Sequence, residues 1–152
     1  MITTKNSAKA IIIQEQQVLL LKKQYENGQV VYTLPGGTQE PGEPLEQAVI
    51  REVHEEVAAR VSVLDLVHIY EHSRPSKTEA GLIKHKVEFA FLCTLEGRYR
   101  PTMGRHPDPH QVAVEWIDLD VLHGLTLAPA KLSEVLTTFT SPTRKIYLGN
   151  IT

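Results

Sequence analysis

From Leu34 to Ala59 the chain reads LPGGTQEPGEPLEQAVIREVHEEVAA, and this stretch limits the fold more than any other. Its Pro-Gly-Gly opening excludes regular helix and central strand. Glu43 precedes Pro44, a residue tolerated in a helix's first turn, where its missing N–H costs little. From Leu45 to about Val57 no Gly or Pro interrupts a helix. At 100° per residue Val49, Ile50, Val53 and Val57 share one arc, the expected buried stripe. Glu52, Glu55 and Glu56 gather on a neighbouring arc, within roughly 6 Å along the axis. Like charges so spaced oppose a helix by about 0.2–0.5 kcal/mol per pair, and Arg51 is the only close compensation. Two readings follow: a solvated acidic face, or oxygen ligands gathered for a hard divalent cation, Mg²⁺ or Mn²⁺ rather than zinc or copper.

Spacing favours the second. Gly37 is followed by five residues, Glu43, seven residues, and Arg51-Glu52-Val53-His54-Glu55-Glu56-Val57-Ala58-Ala59. This resembles the signature of the Nudix hydrolases, Gly-x5-Glu-x7-Arg-Glu-U-x-Glu-Glu-x-Gly-U, where U is a bulky apolar residue. Gly37, Glu43, Arg51, Glu52, Val53, Glu55 and Glu56 match; Ala58 and Ala59 depart from it. A glycine at the first of these positions usually ends the helix in a left-handed conformation, so Ala58 predicts a helix that ends differently or runs on.

Around this stretch the chain reads as alternating strands and loops. Ala8 to Ile13 and Val18 to Lys23 form a hairpin without an Asn-Gly turn; Asn27-Gly28 is a firm turn, and Val30 to Leu34 is a short strand. Strand, glycine loop and helix in that order bring a helix N-terminus near the acidic cluster, a geometry that can receive an anion. Val61 to Tyr70 is a strand, and the polar Glu71 to Gly81 is a long loop carrying Arg74 and Lys77. In the central strand His85 to Thr94, Val87, Phe89, Phe91 and Cys93 share one face and Ala90 and Leu92 the other. Gly97 to His110 is a second long loop, and Val112 to Ile117 a strand, after which Asp118 caps a short helix. A final helix from about Pro129 buries Leu132, Val135, Leu136 and Phe139, and Ile146 to Leu148 is a short strand.

The resemblance extends from about Ala8 to Phe139, through the Glu-Trp-Ile-Asp-Leu-Asp run and the Leu-x-Pro entry to the last helix. It implies a Nudix fold: an α/β/α sandwich whose mixed central sheet has the motif helix on one side and the C-terminal helix on the other. It also implies metal-dependent attack of water on a nucleoside diphosphate linked to another group. Glu52 and Glu56 would ligate Mg²⁺ or Mn²⁺, Glu55 would be a further ligand or the base, and the carbonyl of Gly36 or Gly37 would complete the shell. Arg51 would orient the carboxylates and Glu43 would be structural. Asp108 and His110 are the second-loop alternatives for the base, though each reads first as a solvated loop residue, and Glu115 reads as a surface strand residue.

For the substrate, Arg74, Lys77 and Lys84 are candidates for phosphate, Tyr32 and Tyr70 for a base, and His110 for contact from the second loop. Pro75, seventeen positions after Ala58, is a near miss to the proline of ADP-ribose hydrolases; the coenzyme A signature is absent. The alternative function is a catalytically quiet Nudix domain that senses a nucleotide or nucleotide sugar, or a pure interaction domain. The intact set of Glu52, Glu55 and Glu56 speaks against the sensor, and an interaction domain would show no cation-dependent ligand binding.

Composition narrows the classes further. A chain of 152 residues, 41% hydrophobic and 22% charged, is a single soluble domain, residues 1–152. A net charge of −2 leaves no extended nucleic-acid surface, and the resemblance implies a small-molecule nucleotide as the partner. The longest apolar run near the N-terminus is four residues, too short for a signal or membrane segment, and the lone Cys93 suits a reducing cytoplasm. Many relatives pair as homodimers.

Overall fold

The computed structural model describes residues 1–152 as β1 (Ile2–Gln14), β2 (Gln17–Gln24), β3 (Val30–Thr33), β4 (Gly36–Thr38), α1 (Leu45–Val57), β5 (Val61–Pro75), β6 (Ile83–Leu95), β7 (Gln111–Asp118), a 3-10 helix (Leu119–Gly124), α2 (Leu132–Thr138) and β8 (Tyr147–Asn150). The hairpin of β1 and β2 turns on Glu15 and Gln16, both left-handed with φ of 50° and 65°. This is the two-residue turn whose twist suits a hairpin, made without the Asn or Gly that usually marks it.

The two strands pair only beside that turn, Ile13 with Val18 and Gln14 with Gln17. They then diverge. β2 takes β3 and β7 as antiparallel neighbours, while β1 takes β4 antiparallel and β6 parallel. The sheet runs β3-β2-β1-β6-β5-β8 and is mixed, since β5 and β8 are also parallel. The divergence of β1 from β2 opens the cleft described below.

Strand alternation divides the core into two layers. Ala8, Ala10 and Ile12 of β1, Leu19 and Leu21 of β2, and Phe91 and Cys93 of β6 pack on Ala48, Val49, Val53 and Val57 of α1. On the opposite face Ile11, Val18, Leu20, Tyr70 and Ala90 meet Leu132, Val135, Leu136 and Phe139 at α2. The α/β/α sandwich is therefore as expected. Each fully buried Val or Leu contributes about 1.5–3 kcal/mol, so both helices are held mainly by the sheet.

Several local expectations change. Ile50 is 41% exposed; the buried stripe of α1 turns toward Ala48 instead, and takes in Glu56. Ala58 does take the left-handed conformation (φ 55°), and its N–H bonds to the His54 carbonyl, so the helix ends as a glycine would end it. The Pro-Gly-Gly segment runs into the short strand β4, paired to Ser7–Lys9 of β1. β5 continues to Pro75, so Arg74 lies on a strand opposite Lys84 and the loop shrinks. A polar strand that faces a cleft instead of a core looks like a loop in sequence. Asp118 makes no cap bond; it accepts a hydrogen bond from Gln17 Nε2 at 2.9 Å. α2 begins only at Leu132, and the tail strand is Tyr147–Asn150.

Candidate active site

Arg51 is the hub between β4 and α1. Its guanidinium grips Glu43 with two bonds, Nε to Oε2 at 2.7 Å and Nη2 to Oε1 at 3.0 Å, a fork that holds the helix entry. It also donates to the Thr38 carbonyl at 3.1 Å, Glu52 Oε1 at 3.1 Å and Glu55 Oε2 at 3.2 Å. The Arg51 hydrogen bonds hold the Glu43 carboxyl below the usual range. Burial raises Glu52, and Arg51 opposes that rise. The like-charge repulsion expected on this helix face is thus met by one cation.

Glu56 is only 3% exposed, and its Oε1 accepts the Gly36 N–H at 2.7 Å. Burial pushes its carboxyl up to about 8, against the opposing pull of Lys9 and the Gly36 N–H. Glu52 lies against Gly37, where a Cβ would come within 2.7 Å of its carboxyl carbon, so only glycine lets strand and carboxylate approach this closely. Both glutamates line a cleft of about 540 Å³ between the diverging strands.

The α2-side face of the sheet changes character there. Beyond Tyr70 and Ala90 it becomes the polar floor of the cleft: Lys9, His72, Arg74, Lys86 and Glu88. Glu88, 3% exposed, bonds to His72 Nε2, and Lys9 Nζ lies 4.0 Å from its other oxygen. Burial raises the Glu88 carboxyl, but Lys9, His72 and Lys86 outweigh it and hold it below its ordinary value. Lys9 also donates to the carbonyls of Leu34 (3.2 Å) and Gly36 (3.4 Å), and so carries positive charge to the place where α1 presents its acids.

The second loop closes the site from the other side. The N–H groups of Gly104 and His106 donate to the carbonyls of Glu56 and Glu55, each at 2.9 Å. A Cβ on Gly104 would lie 2.1 Å from the Glu55 oxygen, so this contact needs a glycine. Gln111 donates from Nε2 to the Glu56 carbonyl at 2.8 Å and accepts the Asp108 N–H at 2.9 Å. Asp108 pairs with Lys23 and lines the cleft with Glu52 and Glu56, contrary to its reading as a solvated loop residue. These bonds satisfy the C-terminal carbonyls of α1, which helps a helix without the usual glycine to stop.

Of the other expected residues, Arg74 and Gly37 reach the cleft. Glu55 does not line it and turns to Arg51. Tyr32 does not line it either: it packs against the α2-side core, and burial followed by nearby Glu115 raises its hydroxyl. Tyr70 is fully buried beneath the floor. His110 (φ 68°) stacks on Tyr25 at 4.8 Å between ring centres, in a smaller hollow beside the cleft shared with Lys77 and Lys84.

A family model for the NUDIX domain matches residues 3–139. The chain belongs to the Nudix family. This Nudix chain is 32% identical, over 57% of its own length and 48% of the relative's, to an ADP-ribose pyrophosphatase of Methanocaldococcus jannaschii. It is 30% identical, over 79% of itself and 40% of the relative, to the NAD-capped RNA hydrolase NudC of Chromobacterium violaceum. It spans less than half the length of the curated relatives it matches. Its fold superposes on the crystal structure of a MutT NUDIX hydrolase from Burkholderia pseudomallei with a TM-score of 0.69, at 25% identity, covering 90% of this chain and 99% of that one.

Lys9, His72, Lys86, Glu88 and Gln111 were not among the expected Nudix site residues. Two carried a signal. Lys9 stands between two alanines at the start of an apolar run, and Glu88 interrupts a central strand on the face of Ala90 and Leu92. A charge in the middle of a sheet is rarely left unpaired. Gln111 carries no sequence mark of its role.

Proposed function

We propose that this chain hydrolyses the pyrophosphate bond of a nucleoside diphosphate linked to another group, with the help of a divalent cation. The observation that carries this is the convergence of Glu52, Glu56 and Asp108 on one cleft whose floor holds Lys9, Arg74 and Lys86. Acids for cations and cations for phosphates face the same space.

Nudix hydrolases generally use divalent metal ions. All the donors offered here are oxygens, the chemistry a hard cation prefers, and the buried Glu56 carboxylate has no ion-pair partner within 4 Å, so a cation would relieve its desolvation. Glu52 and Glu56 would hold such an ion, which when bound neutralises phosphate oxygens and makes water more acidic. Arg51 keeps Glu52 turned toward the cleft. Lys9, Lys86 and Arg74 bind and orient the diphosphate by charge-assisted hydrogen bonds. Asp108, opposite Glu56 and anchored by Lys23 and Gln111, accepts the proton of the attacking water, a role that Glu55 is turned away from. Glu43 keeps its structural role.

The test is incubation of purified protein with Mg²⁺, and separately with Mn²⁺, and a panel of ADP-ribose, nucleotide sugars, dNTPs and dinucleoside polyphosphates. ADP-ribose leads the panel because one relative is named for it. Metal-dependent release of a nucleoside monophosphate is the expected result. No turnover of any member with either ion would overturn the proposal.

A further inference from the structure

Beside the cleft lies a second hollow of about 140 Å³ that shares Lys23, Tyr25, Arg74 and Asp108 with it and adds Lys77, Lys84 and His110. Its charge is unbalanced. Lys23 is neutralised by Asp108, whereas Arg74, Lys77 and Lys84 have no carboxylate within 4 Å; the ion pairs of this end of the sheet belong to Lys9, Lys23, His72 and His85. Arg74 and Lys84 are also direct cross-strand partners in β5 and β6, an arrangement of like charges that weakens a sheet. The third cation stands nearby: Lys77 Nζ is held 3.5 Å from the centre of the Tyr25 ring, whose other neighbour is the His110 ring. Two strands and the loop between them thus keep three cations together beside the mouth of the cleft, at a cost in repulsion and with no ion-pair partner within 4 Å for any of them.

Resting on the function proposed above, we infer that this hollow is a subsite for a phosphate that the substrate carries in addition to its scissile diphosphate. A diphosphate gripped by Lys9 and Lys86 at the floor reaches Arg74, which lines both spaces, and a further phosphate is met by Lys77 and Lys84. The preferred substrate then carries more than two phosphates. The extra one is either the next in a longer chain or a monoester on a ribose.

Steady-state kinetics with ADP-ribose, diadenosine tetraphosphate and ADP-ribose 2′-phosphate separate these cases. The wild-type chain is expected to show a kcat/KM at least about tenfold higher for one of the two phosphate-rich probes than for ADP-ribose. Diadenosine tetraphosphate in the lead assigns the hollow to a longer chain, and ADP-ribose 2′-phosphate in the lead assigns it to a ribose monoester. Combining Lys77→Ala with Lys84→Ala should abolish that preference, leave ADP-ribose turnover within about twofold, and leave the melting temperature unchanged or slightly higher. The preference should also fall as salt rises, because these cations are solvent-facing.

Equal kcat/KM for all three probes, or a preference untouched in the double variant, overturns the inference while the hydrolase reading stands. If no probe is turned over, calorimetric titration with methylene-bridged analogues still decides the subsite. Tighter binding of a phosphate-rich analogue that is lost in the double variant upholds it, and equal binding overturns it.

Discussion

The motif helix with its strand β4 and the polar floor made by β1, β5 and β6 face each other across one cleft, yet they are built on different principles. On the helix, chemistry is local. Arg51, Glu52 and Glu56 lie within one and a half turns, and Arg51 answers the charges of its own neighbours. On the floor, chemistry is assembled from afar: Lys9, His72 and Glu88 are far apart in sequence and meet only because β1, β5 and β6 pair in one register. The helix can therefore be recognised as a string of letters. The floor exists only once the sheet has formed.

The largest effect should come from the helix. Glu56→Gln keeps the shape of the side chain and removes its charge, so kcat should fall by about 10³-fold or more while the fold survives. Turnover within tenfold of wild type would remove Glu56 from the metal site and with it the reading of the helix as the chemical half of the cleft.

Asp108 sharpens the comparison, because it belongs to neither half and arrives on the second loop. Asp108→Asn should lower kcat by about 10²-fold, and Glu55→Gln by less than about tenfold. Measuring both in parallel decides between a base on the loop and a base on the helix. The reverse order would show that Glu55 swings into the cleft when substrate binds, and would return the base to the motif.

These two carboxylates also show what was legible. The spacing of Glu52, Glu55 and Glu56 with Gly37, Glu43 and Arg51 carries the resemblance to the family, and the resemblance in turn implies the sandwich fold; the helix and the alternating strands are legible because their periods are written in local order. The same spacing said nothing about which of the three faces the cleft, because that depends on how Arg51 distributes its five donors. Arg74, a candidate for phosphate in sequence, lines the cleft from a strand and not from a loop, since a strand bordering a cleft lacks apolar alternation. Tyr32 has a ring that could stack on a base, but the alternation of β3 turns it to the core side and gives the cleft to Thr33.

A third prediction sets the buried acid of the helix against the buried acid of the floor. Glu56 and Glu88 are equally hidden, each 3% exposed, but Glu56 is raised to about 8 and Glu88 is lowered. The difference is company: Glu88 has His72 and Lys9 at hand, whereas Glu56 relies on one backbone N–H and a more distant lysine. A carboxyl whose folded pKa lies above its unfolded value binds more protons in the native state, so its stabilising share is full below about 4.5 and is lost as pH rises through about 8. Metal-free protein should therefore lose about 2–4 kcal/mol of stability between pH 5 and pH 9 relative to Glu56→Gln, which lacks the titrating group. Glu88 acts in the opposite sense, but only below its own ordinary range, so it does not mask the effect. Chemical denaturation of both proteins across that range is the measurement, and parallel profiles would show Glu56 to be already ionised in the metal-free fold.

The smallest effect concerns the place where this motif departs from its pattern. Ala58 holds φ at 55°, a conformation that costs a residue with a Cβ about 1 kcal/mol, and the chain accepts that cost to stop α1 where the Glu55 and Glu56 carbonyls can meet Gly104, His106 and Gln111. Ala58→Gly removes the steric penalty but loosens the unfolded chain, so the net gain should be a fraction of that, about 0.5 kcal/mol, or about 1–2 °C in melting temperature. Activity should not change, because the loop already fixes the helix end from outside. A large rise in kcat would mean the opposite: that the alanine holds the carboxylates slightly out of place, and that the exit of the helix, not the floor of the cleft, limits the chemistry.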